Sequence, residues 1–506
     1  MSQTSIILKN GTVLQHDEQD NVCVLRDTDI LITGNRIIQI GQNLSDLDGT
    51  YVIDCTDKII SPGFIDSHHH MWQTQLKGRH GDHTLVDYVT AANLQAINFT
   101  ADDIFWGQLG GCLEALDAGT TCVVDNAHMS AGPDHGSAAL AATVASGIRS
   151  IFCYGVTPLR AAEWTSSTFE VDKSGAFPVW MFDQLEEFAK KSPFGGDGRV
   201  QLGFFFDSYF LPQDVITSVF DKVRKMGVRM ITSHFRHWSV SEGQSKIPEV
   251  LQSSSLLGPD ILLSHGNGVT ASQAELLTSA GVYIASTPDA EIFMASGSDP
   301  VAFRADLPLT SLGADCHSCG STSMLHQAQM ALGSDRAAQM SEAAKENRYP
   351  REFRAKVQRA FNLVTIKGAR AARLDESIGS IAVGKLADLV IFDASTPSMI
   401  CAAEQDPLAA LVRHAGSREV NTVIVGGQIR KEDGILRKVD IAGGSEIFAV
   451  NGLDASQESK FSWKQIARRL VDSRAELQKR IESVNVDLAR RTMLSMFGKS
   501  EEEVFV

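Results

Sequence analysis

Eight short apolar stretches alternate with helical segments between residues 59 and 315, and this alternation constrains the fold more than any other feature of the chain. Amphipathic segments such as PVWMFDQLEEFAKK (178–191) separate most of them. Strands that alternate with helices are typical of parallel βα units, and eight units predict an α/β fold, a (β/α)8 TIM barrel. The eight predicted strands are IISPGFID (59–66), TTCVVD (120–125), RSIFCY (149–154), VQLGFFFD (200–207), VRMITSH (228–234), DILLSH (260–265), VYIAST (282–287) and LTSLGAD (309–315).

The segments on either side of the barrel have a different pattern. Residues 1–60 place short apolar runs between Gly, Asn and Asp, which is typical of strands joined by turns. Strand character returns at ADLVIFD (387–393) and VNTVIVGGQIR (420–430). We therefore predict a small β-sandwich domain whose two parts, 1–60 and 375–440, flank a barrel of residues 61–374.

The last segment, residues 441–506, is predicted to be a helical C-terminal extension. Six apolar residues are spaced for one helix face: Ile466, Leu470, Leu477, Ile481, Val484 and Leu488. Such a stripe indicates a helix packed on its own subunit. A contact within a homo-oligomer is the alternative interpretation.

Composition excludes several classes of protein. The net charge is −15, from 46 basic and 61 acidic residues, so no excess of positive charge is present to bind nucleic acid. No apolar run of about 18 residues predicts a membrane span, and MSQTSIILKN (1–10) does not resemble a signal peptide. The eight cysteines are dispersed and do not suggest a disulfide framework. We expect a soluble, cytoplasmic protein with a small-molecule substrate.

Three consecutive histidines follow the first predicted barrel strand, in PGFIDSHHH (62–70). Successive side chains of a strand point to opposite faces, so His68 and His70 are predicted to share one face and His69 to point away. Two imidazoles at a strand end can bind one divalent metal ion.

Other strand ends carry polar residues of the same kind. His234 ends the fifth predicted strand, His265 the sixth and Asp315 the eighth. The carboxyl ends of the strands form the face on which barrel enzymes build their sites. Any one of these residues would be explained by a hydrogen bond at a strand tip. Together with the histidine pair, however, they predict a metal site.

Four stretches together resemble the amidohydrolase superfamily, in the branch that contains cytosine deaminase, guanine deaminase and the triazine chlorohydrolases. They are PGFIDSHHH (62–70), LEALDAGTTCVVD (113–125), the series of His234, His265 and Asp315, and VTIKGARAARLDESIGSIAVGKLADLVIFD (364–393). The resemblance extends from residue 5 to about residue 435 and leaves the tail outside. It implies a metal-dependent hydrolase that acts on a non-peptide carbon–nitrogen bond, a cyclic amidine or amide, of a small heterocyclic compound.

The resemblance also implies the roles of individual residues. Four side chains would hold one divalent metal ion: His68, His70, His234 and Asp315. The fourth strand, VQLGFFFDSYF (200–210), lacks the lysine that two-metal members carry, which favours a single ion, zinc, with iron as the alternative. Such an ion lowers the pKa of water to about 7. Asp315 would take the proton and pass it to the leaving group, while His265 would orient the water or polarise the attacked bond.

One position departs from the family pattern. Deaminases of this branch place a glutamate three residues after the fifth-strand histidine, where this chain has His237. Imidazole can transfer protons near pH 7, so His237 is predicted to be a catalytic proton shuttle, with packing beside the pocket as the alternative. It does not reproduce a carboxylate, so ordinary cytosine or guanine deamination is in question. Glu291, in STPDAEIFMASG (286–297), is a candidate for the missing carboxylate.

Five residues are predicted to contact the substrate: Trp72, Gln73, His128, Glu291 and His317. Trp72 and Gln73 follow the first strand, His128 follows the second, and His317 lies in CHSC (316–319) beside Asp315. Each residue alone is explained equally well by packing. Alternative functions are hydrolysis of another leaving group, or a lyase or isomerase step, on the same metal site. A metal-free scaffold protein is disfavoured because the chain retains every predicted ligand.

Overall fold

The computed structural model describes residues 5–45, 49–129, 131–173, 175–237, 242–296, 300–450 and 459–505. Five strands come first: β1 (Ser5–His16), β2 (Val22–Thr33), β3 (Arg36–Gly41), β4 (Tyr51–Asp54) and β5 (Lys58–Pro62). They form most of a sheet that is completed by strands located after the barrel in the sequence.

The strands of the barrel are among the next eleven strands. They are β6 (Phe64–His70), β7 (Thr120–Ala127), β8 (Arg149–Tyr154), β9 (Ala161–Trp164), β10 (Phe169–Val171), β11 (Val200–Phe205), β12 (Ile231–Phe235), β13 (Ile261–His265), β14 (Tyr283–Ser286), β15 (Thr310–Leu312) and β16 (Asp315–Cys316). Strands β9 and β10 pair only with each other among the described residues, as a hairpin. The others form one sheet in which every pairing is parallel, in the order β6, β7, β8, β11, β12, β13, β14, β15.

The ring closes through the eighth strand. Its first piece, β15, pairs with β14, and its second piece, β16, pairs with β6, so that Asp315 lies beside His69. All eight residues of β7 are buried, as expected for parallel strands that are covered on both faces. The predicted (β/α)8 barrel is confirmed.

The helices of the described chain cover the barrel and extend beyond it. They are α1 (Leu85–Ala91), α2 (Ala101–Asp117), α3 (Pro133–Ser146), α4 (Val179–Lys191), α5 (Gln213–Lys225), α6 (Ile247–Ser253), α7 (Ala271–Ser279), α8 (Pro288–Phe293), α9 (Met324–Lys345), α10 (Val357–Leu363), α11 (Ile366–Ala371), α12 (Ile400–Gln405), α13 (Pro407–His414), α14 (Trp463–Glu482), α15 (Val486–Met496) and α16 (Glu501–Val504). Short 3-10 segments lie at Met71–Leu76, Asn93–Asn98, Glu242–Lys246 and Ile441–Gly444. No described helix is both long and apolar enough to cross a bilayer.

Helix α2 packs closely against the chain that follows the three histidines. It begins after Thr100, whose hydroxyl accepts a hydrogen bond from the backbone N–H of Asp103 at 3.1 Å, while the Asp103 carboxylate accepts one from the N–H of Thr100 at 2.9 Å. A Cβ at Gly111 would lie 2.2 Å from the carbonyl oxygen of Met71. Only glycine allows this approach, which positions the end of the first barrel strand.

The small domain is completed after the barrel. Strands β17 (Leu389–Asp393), β18 (Val420–Val425), β19 (Gln428–Glu432) and β20 (Ile435–Leu436) join β1 to β5 in a single nine-stranded sheet. Its two parts meet where β17 runs antiparallel to β5. In β17, Leu389 and Ile391 belong to the core of this domain, whereas Val390 and Phe392 belong to the barrel core. Alternation along one strand therefore joins the two cores, and the chain has the small β-domain built from both ends that the sequence predicts.

The tail packs along α2. Helix α14 buries Ile466, Leu470, Leu477 and Ile481, four residues of the predicted stripe. On the same side, the Ser473 hydroxyl donates to Asp103 Oδ1 at 2.6 Å and accepts from Gln75 Nε2 at 2.9 Å. Two short strands, β21 (Val439–Asp440) and β22 (Lys460–Phe461), pair at the start of this region. The tail is therefore fixed on its own subunit, beside the segment that follows the histidines.

Candidate active site

Four side chains at the carboxyl ends of the barrel strands place their ligand atoms within 4.8 Å of one another: His68, His70, His234 and Asp315. His70 Nε2 lies 3.2 Å from His234 Nε2, and Asp315 Oδ1 lies 3.3 Å from the Nε2 atoms of both His68 and His70. In a tetrahedral site with metal–ligand distances of about 2.0–2.1 Å, neighbouring ligand atoms are about 3.3 Å apart. The spacing and the donor set of three imidazoles and one carboxylate therefore fit a divalent ion. We call these four residues the metal group.

In two of these histidines, the ring nitrogen that faces away from the metal group has a hydrogen-bond partner. His70 Nδ1 lies 3.0 Å from the carbonyl oxygen of Asn126, and His234 Nδ1 lies 2.6 Å from Asp207 Oδ2. A partner on Nδ1 holds the ring and leaves Nε2 to bind a cation. Burial lowers the pKa of His234 well below its usual range, which keeps this ring neutral, and burial raises the pKa of Asp207 to about 7. Sequence reasoning missed Asp207, although its place directly after a barrel strand was a usable signal.

His69 lies on the opposite side of the strand. Its Nδ1 is 2.6 Å from Asp66 Oδ2, and its Nε2 is 3.2 Å from His317 Nδ1. His317 Nε2 in turn lies 3.4 Å from Glu114 Oε2. Burial lowers the pKa of His317 to about 4. His317, predicted to contact the substrate, is therefore part of a buried chain behind the metal group and does not line the cavity above it.

A cavity of about 350 Å³ opens above the metal group. Its lining includes His70, His234 and Asp315 of that group, together with His265 and His128. The His128 ring centroid lies 4.2 Å from that of His70, and burial holds the pKa of His128 well below its usual range. The structure thus brings the metal group, His265 and the predicted substrate contact His128 to the floor of one cavity.

His265 is held by residues that follow the seventh barrel strand. Its Nδ1 lies 2.9 Å from Thr287 Oγ1 and 3.8 Å from Glu291 Oε1. The Glu291 carboxylate accepts a hydrogen bond from the backbone N–H of Thr287 at 2.6 Å, and burial raises its pKa to about 7. Glu291 is therefore placed beneath His265, where it supports that ring. It is not among the residues that line the cavity.

Two of the residues at the floor have unusual backbone geometry. His265 has a φ of +72° and Asp315 a φ of +62°, both in the left-handed region that residues other than glycine rarely adopt. Such conformations cost about 1–3 kcal/mol each and persist where the surrounding structure fixes them. The parallel pairing of His265 with Phe235 and of Asp315 with His69 supplies that restraint.

Two predicted substrate contacts on the first loop are directed away from the cavity. Trp72 is fully buried, and its ring lies 5.0 Å from that of Phe99 in an edge-on contact. Gln73 hydrogen bonds with Tyr88 and accepts a hydrogen bond from the Ser318 hydroxyl at 3.1 Å. Neither lines the cavity, whereas Tyr88 does. These residues hold the loop in place behind the cavity wall.

His237 is not brought to the metal group. Its Nε2 lies 3.2 Å from Gln273 Oε1, its backbone N–H donates to the carbonyl oxygen of Asn267 at 2.9 Å, and it is absent from the cavity lining. The preceding residue, Arg236, is 8% exposed and lines the cavity. Sequence reasoning did not select Arg236. Its position two residues after a ligand histidine, on the same face of an extended segment, was the available signal.

The cavity lining also includes apolar residues that sequence reasoning did not consider. Leu85 and Leu94 come from the connection after the first barrel strand, whereas Met493, Met496 and Phe497 come from the C-terminal tail. No pattern in the tail sequence connects these three residues with a site at the barrel mouth.

The chain is similar to a known family and to known proteins over most of its length. The Amidohydrolase family model matches residues 59–430. A 5'-deoxyadenosine deaminase from Methanosphaera stadtmanae is 25% identical over 485 residues, covering 92% of this chain and all of the relative. A 5-methylthioadenosine/S-adenosylhomocysteine deaminase from Symbiobacterium thermophilum is 27% identical over 442 residues, covering 85% and 94%.

Two solved structures share the fold. An adenosine deaminase from Xanthomonas campestris with bound zinc has a TM-score of 0.70 at 18% identity, covering 95% of this chain and 99% of its own. Atrazine chlorohydrolase from Arthrobacter aurescens in complex with zinc has a TM-score of 0.70 at 19% identity, covering 93% and 100%.

Proposed function

The chain belongs to the amidohydrolase family, and we propose that it removes an exocyclic amino group from a small heterocyclic compound. Metal-dependent hydrolysis of a non-peptide carbon–nitrogen bond, predicted from the sequence, is confirmed by the family and by the deaminase relatives. The amine as leaving group is our proposal. The observation that carries it is the arrangement of the metal group, His265 and His128 on the floor of a single cavity.

We propose that the metal group binds one divalent ion. Three imidazole nitrogens and one carboxylate oxygen suit zinc, with iron as the alternative. When bound, the ion would lower the pKa of a water molecule from 15.7 to about 7 and so supply the nucleophile at neutral pH. In the described strand β11 and the residues up to 210, no lysine is present to bridge a second ion.

Asp315 is the proposed proton carrier. Burial alone would raise its pKa, but the neighbouring histidines outweigh burial, His68 and His70 through hydrogen bonds to the carboxylate, and the pKa lies well below its usual range. The carboxylate is therefore ionised at neutral pH and can accept the proton of the attacking water. The same group then returns a proton to the departing amine, which leaves as ammonia.

His265 is the proposed positioning group for the reacting carbon. Its Nδ1 is engaged by Thr287, so Nε2 is the ring atom that remains for the water or the substrate. Burial lowers the pKa of His265 well below its usual range, which keeps the ring neutral. A neutral ring whose orientation is fixed by hydrogen bonds can hold the substrate without the ordering cost that a mobile side chain would add.

Arg236 favours a second candidate function, the hydrolytic opening of a cyclic amide. Its guanidinium lines the cavity, and burial lowers its pKa, yet an arginine remains cationic at neutral pH. A fixed cation near the attacked carbon would stabilise the negative oxygen that forms when water adds to an amide carbonyl. His237, the position of the family's deaminase glutamate, does not line the cavity, so this position does not supply a group beside a ring nitrogen.

Metal analysis combined with a substrate screen tests both candidates. Purified protein is assayed for bound zinc and iron, and then for ammonia release from adenosine derivatives, other aminopurines, aminopyrimidines and aminotriazines. Ring opening of cyclic amides is followed in parallel. We expect one ion per chain and ammonia release that Asp315→Asn abolishes. Ring opening without ammonia release would support the second candidate. A fully loaded enzyme that acts on neither class would overturn both.

A further inference from the structure

The C-terminal tail lies outside the region that the family model matches, yet it reaches the substrate cavity. The family match ends at residue 430, whereas Met493, Met496 and Phe497 line the cavity together with the histidines of the floor. We propose that these three residues, the tail wall, select substrates with an apolar substituent on the side away from the metal group. This inference rests on the proposed function and names the substrate class of the same site.

Specific contacts hold the tail wall in place. The N-terminal end of α15 is capped by Asn485, whose side chain accepts from the N–H of Leu488 at 2.9 Å. The Trp164 indole N–H, in the hairpin after the third barrel strand, donates to the carbonyl oxygen of Asn485 at 3.0 Å. Arg490 Nη1 lies 3.3 Å from Oδ1 of Asp87 in α1, and Arg490 Nε lies 2.9 Å from Oε1 of Glu501. The helix is therefore attached to two loops at the mouth of the barrel, and its position relative to the floor is fixed.

The three residues of the tail wall differ in their exposure to solvent. Met493 is fully buried and packs with Val86 and Leu494 in a small apolar cluster, so it anchors the helix. Met496 is 55% exposed and Phe497 40% exposed, although both line the cavity. Contact with an apolar substituent would remove this surface from water, which favours binding in proportion to the area covered. Methionine is unbranched and flexible and accommodates substituents of different shapes.

The cavity lining combines polar and apolar groups. His234, His265 and Asp315 line it at the metal group, and the tail wall adds an apolar surface of two methionines and one phenylalanine. A heterocycle bound at the metal group would direct its substituent toward the tail wall. An alkyl, aryl or alkylthio substituent suits this surface, whereas a charged substituent would lose hydration there and find no charged group among the three tail residues. A volume of about 350 Å³ is sufficient for a heterocycle with one such substituent.

Full-length, zinc-loaded enzyme is used for the first test. Adenosine and 5'-methylthioadenosine, which differ in the polarity of one substituent, are compared with the wild type, Met496→Ala and Phe497→Ala. We expect the wild type to prefer the methylthio compound. Either variant should raise KM for it about fivefold or more and raise KM for adenosine by a smaller factor, so that the preference for the methylthio compound falls. Val471→Ala is the matched control, because Val471 is a 65% exposed tail residue on α14.

A second test needs no turnover. Acetohydroxamate and octanohydroxamate carry the same metal-binding head and differ only in the apolar chain. We expect the wild type to bind the longer compound more tightly, and each tail-wall variant to reduce this ratio about fivefold or more while Val471→Ala preserves it. An unchanged ratio in both variants would overturn the inference, even if ammonia release is observed. If no amine is hydrolysed but the ratio of the two hydroxamate affinities falls in the variants, the proposed function is wrong and the inference about the tail wall is supported.

Discussion

The floor and the outer wall of the cavity are built from different parts of the chain. The floor contains polar residues at the ends of barrel strands, where strand pairing fixes His70 beside Cys316 and His234 beside Ser264. The outer wall carries apolar residues from the connection after the first barrel strand and from the C-terminal tail near residue 490. Strand geometry therefore determines the chemistry, whereas packing between distant segments determines which substituent fits. We expect changes to the floor to affect metal binding and kcat, and changes to the wall to affect KM.

The largest effect is expected where the floor binds the metal. His70→Ala should abolish tight metal binding and hydrolysis, because it removes one nitrogen of the metal group. His69→Gln, one position away on the opposite side of the strand, should retain one metal per chain, although loss of contacts with Asp66 and His317 should lower its melting temperature. Elemental analysis of both variants measures this. Equal metal loss in both would contradict the alternation on which the floor depends.

A smaller effect is expected behind the metal group. Asp207→Asn weakens the 2.6 Å contact with His234 Nδ1 that orients the ring. Partners of this kind are worth about 10- to 100-fold in metal affinity. Competition with a chelator measures the affinity, and Asp260→Asn, which affects a partly exposed ion pair with Arg224, is the control. Unchanged affinity in the Asp207 variant would show that strand geometry alone holds the ligands.

The smallest effect is expected at His237. Because its Nε2 contacts Gln273 and the ring does not line the cavity, His237→Ala should lower kcat less than tenfold. Arg236→Met, at the adjacent position that does line the cavity, should lower kcat/KM for a cyclic amide by more than tenfold. Steady-state kinetics of the two variants show which substitution lowers activity more. A fall of about 100-fold or more for His237→Ala with full metal content would assign the proton transfer to His237.

Most of the barrel and the metal group could be predicted because local rules determine them. Apolar runs of strand length specify the parallel strands, and the two-residue period separates His68 and His70 from His69. The four predicted ligands lie together because they belong to the carboxyl-terminal parts of strands that meet at one face of the barrel.

The rest of the site depends on contacts between distant segments. Trp72 and Gln73 follow directly after the ligand histidines, but close packing against α2 directs them into the loop. Glu291 supports His265 because α8 turns it beneath the ring. The tail residues reach the cavity only because α14 and α15 dock on the barrel mouth, which no periodicity in residues 441–506 indicates. Sequence periodicity indicates which face of an element is apolar, but not which distant surface it contacts.

X-ray diffraction from zinc-loaded crystals, with anomalous data on both sides of the zinc absorption edge, tests the central claim most directly. We expect one strong anomalous peak per chain, about 2.0–2.1 Å from the Nε2 atoms of His68, His70 and His234 and from a carboxylate oxygen of Asp315. We expect no second peak of comparable height near β11. A principal peak on His69 and His317, or two equal peaks in the cavity, would contradict it.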